Sequence, residues 1–447
     1  MMNSTQIKRI LALVSAGSMI IGMAACGAGK SGGSSGGKVT LEFAAFEGGY
    51  GAQMYKDVVA AYEKENPNVK INLTISKKIE DEIMPGMKAG KYPDIVELGQ
   101  GTKSGLTETL LKDKALEKLN DVLDIQVPGE SKTVKEKLVD GVIGLYTNPY
   151  GGSDTYLMPM YYSPTGLVYN KTLLKQNGWE VPSTWDEMFK LGDAAKAKGI
   201  SLFTYPTAGY FDAFFNAFLA DVGGEQFYED IMTYKKDIWK SSDATKALET
   251  TSKLVKDYLN PDTVGYANGQ DFTKNQQSIL SDKSIFMPNG TWIVNEMKDA
   301  PRSDGFEWGF APVPTLEAGK THYVSTALEA VWIPSKAKHK EEAKKFMAYL
   351  YSDKAADIFV KTGAVQPIKG VTDKVDSTIR TFYEVYNQKD VKAIAGSFST
   401  TATVEGKNIK QDLYEAVDSV ASGQLSLQQW QDKLNETSNA LNAAASK

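Results

Sequence analysis

Hydrophobic and polar positions alternate over the first stretch of the globular chain. Val39, Leu41, Phe43 and Ala45 occupy every second position, the period of a half-buried strand. Gly48 and Gly49 break that rhythm. Tyr55, Val58, Val59 and Tyr62 then recur at i, i+3, i+4 and i+7, one face of a helix, which Pro67 stops. Val69, Ile71, Leu73 and Ile75 alternate again, and Asp94 to Leu98 reads as a short strand after a Lys-Tyr-Pro turn. Strand, helix, strand in this order predicts a parallel α/β sheet. Farther on, Thr184 and Glu187 have the spacing of a capping box before a helix that Gly199 ends. A second amphipathic helix is expected over 340–351, with Ala343, Phe346, Met347 and Leu350 inside. Ser426 is placed to cap a last helix carrying Leu427, Trp430, Leu434 and Leu441. The chain contains no internal repeat.

The apolar run Ile10 to Met23 lies outside this pattern. It follows Lys8 and Arg9 and is shorter than the roughly 20 residues of a membrane span, so it predicts a signal-peptide core over 1–25. Cys26 is the only cysteine, and Met23-Ala24-Ala25-Cys26 resembles a bacterial lipobox. That resemblance implies a diacylglycerol on Cys26, two chains where one is marginal, and hence a stable anchor at the outer face of the cell membrane. Residues 26–37 then form a lipidated cysteine and a Gly/Ser tether spanning roughly 17–20 Å.

Composition narrows the chemistry. With 447 residues the chain is too long for one ordinary core, which predicts two lobes. A formal net charge of −5 argues against nucleic acid as the partner, because phosphate binding needs a basic patch. One cysteine excludes an internal disulfide, a thiolate zinc site and an iron–sulfur cluster. The phosphate-loop, dinucleotide, zinc-protease and nucleophile-elbow motifs do not occur, and no cofactor or metal is expected. His339 reads as a solvated helix start and His322 as a surface loop residue. Glu47, Glu97, Asp212 and Glu329 could meet in a cleft, and a glycosidase needs only two suitably spaced carboxylates.

Four ordered stretches carry a family resemblance. They are 158–162 (MPMYY) leading to 167–171 (LVYNK) and 184–185 (TW); 286–292 (FMPNGTW); 308–314 (WGFAPVP); and 333–334 (IP) through 363–367 (GAVQP). In order and spacing they resemble the extracellular solute-binding proteins of carbohydrate ABC transporters, of the maltodextrin-binding type. The resemblance implies a two-lobed α/β fold, each lobe a mainly parallel sheet flanked by helices, with sugar held in the cleft at the hinge. It implies hinges near 161–164 and 325–328, with a third crossing near 368–371. The lobes would comprise 38–160 plus 327–370, and 161–326 plus 371–447. It also implies a non-enzymatic monomer that hands its sugar to a membrane permease.

The same resemblance supplies candidate ligand contacts. Trp292, in its Asn-Gly-x-Trp stretch with Asn289, would stack on sugar; the alternative is a core tryptophan. Glu47 and Tyr50 flank the Gly-Gly turn at the end of the first strand. Gln100 follows the 94–98 strand, or is a simple turn residue. Tyr161 and Tyr162 lie at the first hinge, Tyr210 and Asp212 in the second lobe, and Gln366 at the last crossing. Glu329 lies just past the second hinge, as a contact or as a hinge hydrogen bond. Phe214, Phe215, Phe218, Tyr228, Tyr234 and Trp239 read as packing. Leu98 stands where the maltodextrin binder has an aromatic, which counts against a maltodextrin ligand. Residues 46–51 (FEGGYG) are similar to binders of N-acetylglucosamine and its dimer. A peptide, polyol or glycerophosphodiester is the alternative cargo; a phosphate would call for Arg or Lys in the cleft, and none is among these positions.

Overall fold

The sheet is arranged around two long strands. In a computed structural model that describes residues 38–445, apart from 103, 140, 141, 145, 151 and 400–402, nine strands form one connected sheet, seven of them along one path and two branching from it. The signal segment, Cys26 and the tether lie outside the described residues. Strand β1 (Val39–Phe46) pairs in parallel with β2 (Val69–Ser76) and with β3 (Ile95–Glu97). Its alternating residues Leu41, Phe43 and Ala45 are all buried, as a half-buried strand requires. The helix Gln53–Glu65 covers it through Met54, Tyr55, Val58, Val59 and Tyr62.

The long strands are β4 (Met158–Asn170) and β8 (His322–Trp332), paired antiparallel from Met158 to Thr165. Near Trp332, β8 also pairs with β3. Beyond Thr165, β4 pairs with β6 (Ser284–Gly290) and β7 (Trp308–Ala311). β5 (Ser201–Phe203) lies parallel to β6, and β9 (Val391–Ile394) lies parallel to the start of β8. The parallel arrangement therefore holds for β1–β3, whereas in the other lobe β4 meets β6 and β7 antiparallel. Both expected hinge segments lie in the β4–β8 ladder, so the lobes are joined by hydrogen-bonded strands.

Two large apolar cores flank this ladder. One gathers Phe43, Tyr55, Phe346, Phe359 and Leu350; the other gathers Trp185, Phe214, Phe218, Trp239 and Trp430. The first core runs past the expected boundaries, because Met287, Trp308, Ile379 and Phe382 pack into it. The capping box at Thr184 forms as spaced, with Glu187 N–H on the threonine oxygen at 3.3 Å and the Glu187 carboxylate on Thr184 N–H at 3.2 Å. Gly199 leaves that helix with φ of 75°, a conformation only glycine adopts freely. Ser426 and Gln429 cap the last helix, Leu427–Ala445, in the same way. Among the described residues no helix is long and apolar enough to cross a membrane.

Candidate functional site: a cleft at the strand ends

A cavity of about 710 Å³ opens where the C-terminal ends of β1 and β3 meet the middle of β4 and β8. That volume is ordinary for a small-molecule site, and open α/β sheets bind ligands at such strand ends. Glu47, Tyr50 and Gln100 reach it from the first lobe, and Tyr161, Tyr162 and Glu329 from the crossing strands. Tyr210, Asp212 and Trp292 form the far wall. Two candidates lie elsewhere. Asn289 is fully buried in β6 with its side-chain oxygen on Gly290 N–H, and Gln366 is fully buried with its amide on the Leu350 carbonyl. Both are held by backbone partners and neither borders the cavity, so the structure removes them from the contact set.

Trp292 is fixed by glycines. A β-carbon on Gly290 would stand 2.1 Å from its six-membered ring, and one on Gly49 would stand 2.8 Å from its own β-carbon. No side chain can replace hydrogen at either place without moving the indole. The ring is only partly buried and meets Tyr210 at 6.4 Å and 58°, giving an angled aromatic corner open to the cavity. Asn295 donates to the Gly49 carbonyl at 2.7 Å, and the Tyr50 hydroxyl lies 2.8 Å from Thr291 Oγ. Thr291 in turn donates its N–H to Ser163 Oγ at 2.9 Å. The Gly-Gly turn after β1 is thus joined to the Trp292 turn after β6. Tyr50 is almost wholly buried and its phenol is pushed up to about 12 by that burial, so it serves as a wall with its edge on Tyr161.

Carboxylates supply the polar side. Asp212 is open to the cleft, yet enclosed by the protein around it, and this enclosure pushes its carboxyl up to about 6. Glu296 is raised by burial, against a hydrogen bond from Gln276 and the charge of Lys77. Glu329 is raised by burial, against a hydrogen bond from Gly99 N–H.

Sequence reading missed several wall residues. Lys77 follows β2 directly, and the strand-end rule would have found it. Ser397 and Phe398 come from the irregular segment after β9, and Lys410 and Tyr414 from the helical turns that follow it. These four residues border one side of the cavity. Lys410 lies 3.4 Å from Glu108, Ser397 Oγ lies 3.4 Å from Gln100 Oε1, and Lys112 donates to Thr403 at 2.7 Å. Of the histidines, His322 differs from expectation, whereas His339 stands partly exposed at the start of its helix as expected. His322 is buried at the start of β8 against the Val313 carbonyl, and His339 precedes its helix with its ring on Asp94. Among the described residues no cluster of three metal-ligating side chains occurs.

Two α/β lobes, crossing strands and a shared aromatic and carboxylate cleft define a solute-binding protein of the periplasmic type. The chain belongs to the bacterial extracellular solute-binding proteins, whose family model matches residues 47–357. It is similar to the diacetylchitobiose binding protein NgcE of Streptomyces coelicolor, at 27% identity over 72% of this chain and 68% of that one. It is also similar to the maltodextrin-binding protein MdxE of Bacillus subtilis, at 28% identity over 79% of each. The apo-form of RafE from Streptococcus pneumoniae shares the fold, with a TM-score of 0.66 at 21% identity over 92% of this chain and 99% of that one.

Proposed function

We propose that this protein captures a mono- or short oligosaccharide outside the cell and delivers it to the permease of an ABC importer. The observation that carries this reading is that the Trp292–Tyr210 corner, Asp212 and Glu329 line one cavity. A sugar ring presents flat C–H faces, which suit an indole, and hydroxyl edges, which suit carboxylates and amides. The chitobiose and maltodextrin relatives support the class. Within it, residues 46–50, which border the cavity in the stretch similar to N-acetylglucosamine binders, favour N-acetylglucosamine or its dimer; Leu98 is buried in the core and does not bear on the choice.

The cations in the wall do not favour a phosphate ligand. Lys410 faces Glu108, and Lys77 acts on Glu296. Hydrolysis is the other reading, since Glu47, Asp212 and Glu329 all border the cavity, and recovery of the sugar intact separates the two. The protein acts as a monomer anchored through Cys26, with lobes comprising 38–160 plus 327–370 and 161–326 plus 371–447.

Calorimetric titration of residues 38–447, which form a compact unit of their own, against N-acetylglucosamine, N,N′-diacetylchitobiose and gluco-, manno-, xylo- and galacto-oligosaccharides tests the reading. Micromolar or tighter binding to one class, with the sugar recovered intact, is the expected result. Silence across the panel from folded protein would overturn it.

A further inference from the structure

Glu97 lies behind the cleft wall, yet its surroundings belong to the wall. It stands on β3 opposite Val331 of β8, while Tyr161 on β4 stands opposite Glu329 of β8. Side chains two apart on a strand share a face, so Glu97, Glu329 and Tyr161 point the same way. The register shift between Pro159 and Tyr161 sets this alignment. The Tyr161 phenol reaches across β8 and donates to Glu97 Oε1 at 3.0 Å, with the Tyr55 hydroxyl 2.7 Å behind it. Phe46 N–H donates to the other Glu97 oxygen at 3.1 Å. Glu329 borders the cavity and accepts from Gly99 N–H.

A buried carboxylate needs a cation or a proton. The influences on Glu97 are its burial, the charge of Glu329 and hydrogen bonds from Tyr55, Tyr161 and Phe46; those on Glu329 are its burial and Gly99. Among the described residues no cation is one of them. The other titratable groups that feel these charges are the phenols of Tyr50 and Tyr146, both neutral, with Tyr146 donating to the Leu328 carbonyl at 2.8 Å. Neutral donors can carry one negative charge here and not two.

We propose that Glu97 and Glu329 act as one carboxylate couple sharing a single proton beneath the bound sugar, with Glu329 touching the ligand and Glu97 a positioning residue acting through Tyr161, so that affinity is linked to pH. The proposal rests on the sugar-binding reading for its ligand. Closing the cleft expels water and makes a second ionisation costlier. Binding therefore holds the shared proton more tightly, and affinity falls as pH rises past the point where the free protein would lose it.

The couple is tested first without ligand. Carboxyl carbon signals of ¹³C-glutamate-labelled protein are followed by NMR from acid to alkaline pH. Two signals titrating well above the ordinary carboxylate range are expected, with Glu97→Gln deleting one and lowering the other. Glutamates that all titrate in the ordinary range overturn the proposal, and wild-type protein alone suffices for that outcome. Next, the Kd for N,N′-diacetylchitobiose is measured at acid and alkaline ends of the neutral range. Wild type should weaken by about threefold or more with rising pH, and Glu97→Gln should lose that slope. A uniform loss at every pH, with the slope kept, would assign Glu97 a merely structural role and overturn the proposal. Two raised carboxyl signals with no sugar bound at any pH would overturn the sugar reading and keep the shared proton.

Discussion

Charge is buried in two ways in this molecule. Lys137, with 5% of its side chain exposed, bonds Glu130 and, at 2.9 Å, Asp353. Lys344 bonds Asp121 at 2.7 Å and Glu117 at 3.4 Å. Each of these cations is neutralised where it lies, by carboxylates that are themselves partly in water. Among the described residues Glu97 and Glu329 have only neutral donors, although Glu97 is the more deeply buried. The difference follows location. Ion pairs that only brace the fold can be complete. Groups at a ligand cleft must leave some of their hydrogen-bonding capacity for the ligand.

The comparison can be broken at several points. Trp292→Ala should weaken sugar binding at least tenfold, about 1.4 kcal/mol or more, at every pH and with the fold intact. Calorimetry reads this, and unchanged affinity in a folded variant would move the site away from the aromatic corner. Lys137→Met leaves Glu130 and Asp353 without their cation. Because both reach solvent, the cost should be about 1–2 kcal/mol, below that of breaking a fully buried pair. Denaturant unfolding reads this, and sugar affinity should stay within about twofold; a larger loss would show that the bracing pairs and the cleft are coupled.

Glu97→Gln should act in the opposite direction on stability. Burial and Glu329 raise the Glu97 carboxyl, so the folded protein binds that proton more tightly than the unfolded chain does. Wild-type stability therefore falls as pH climbs above the ordinary carboxylate range, and the glutamine variant escapes that loss. Melting curves should show the variant ahead by about 1 kcal/mol at mildly alkaline pH and level with wild type in acid. The smallest effect belongs to Glu108→Gln. Its pair with Lys410 is partly exposed at 3.4 Å. Sugar affinity should drop about twofold at low salt, with the difference vanishing at high salt.

Much of the framework was legible along the chain. The period-two run at 39–45, the helical face at 55–62 and the Thr184–Glu187 box depend on neighbours in sequence, and all formed as spaced. The cleft was legible where a residue sits at a strand end or hinge, as Glu47, Gln100 and Glu329 do. Asn289 and Gln366 share the family pattern with true wall residues, but pattern does not tell which way a strand turns a side chain. Lys410 and Tyr414 carry no local signal of a site, because only the fold brings the helical turns at 409–415 to the cavity, with Lys410 beside Glu108.

Local rhythm was enough to write the strands, helices, caps and overall class, since each follows from contacts within a few residues. The pairing of Tyr161 with Glu97 and Glu329 was not available at that level. It depends on β3, β8 and β4 lying side by side, on a shift of register at Pro159–Tyr161, and on burial that removes water from both carboxylates. A carboxyl's proton is set by distance and dielectric, which only the packed molecule supplies.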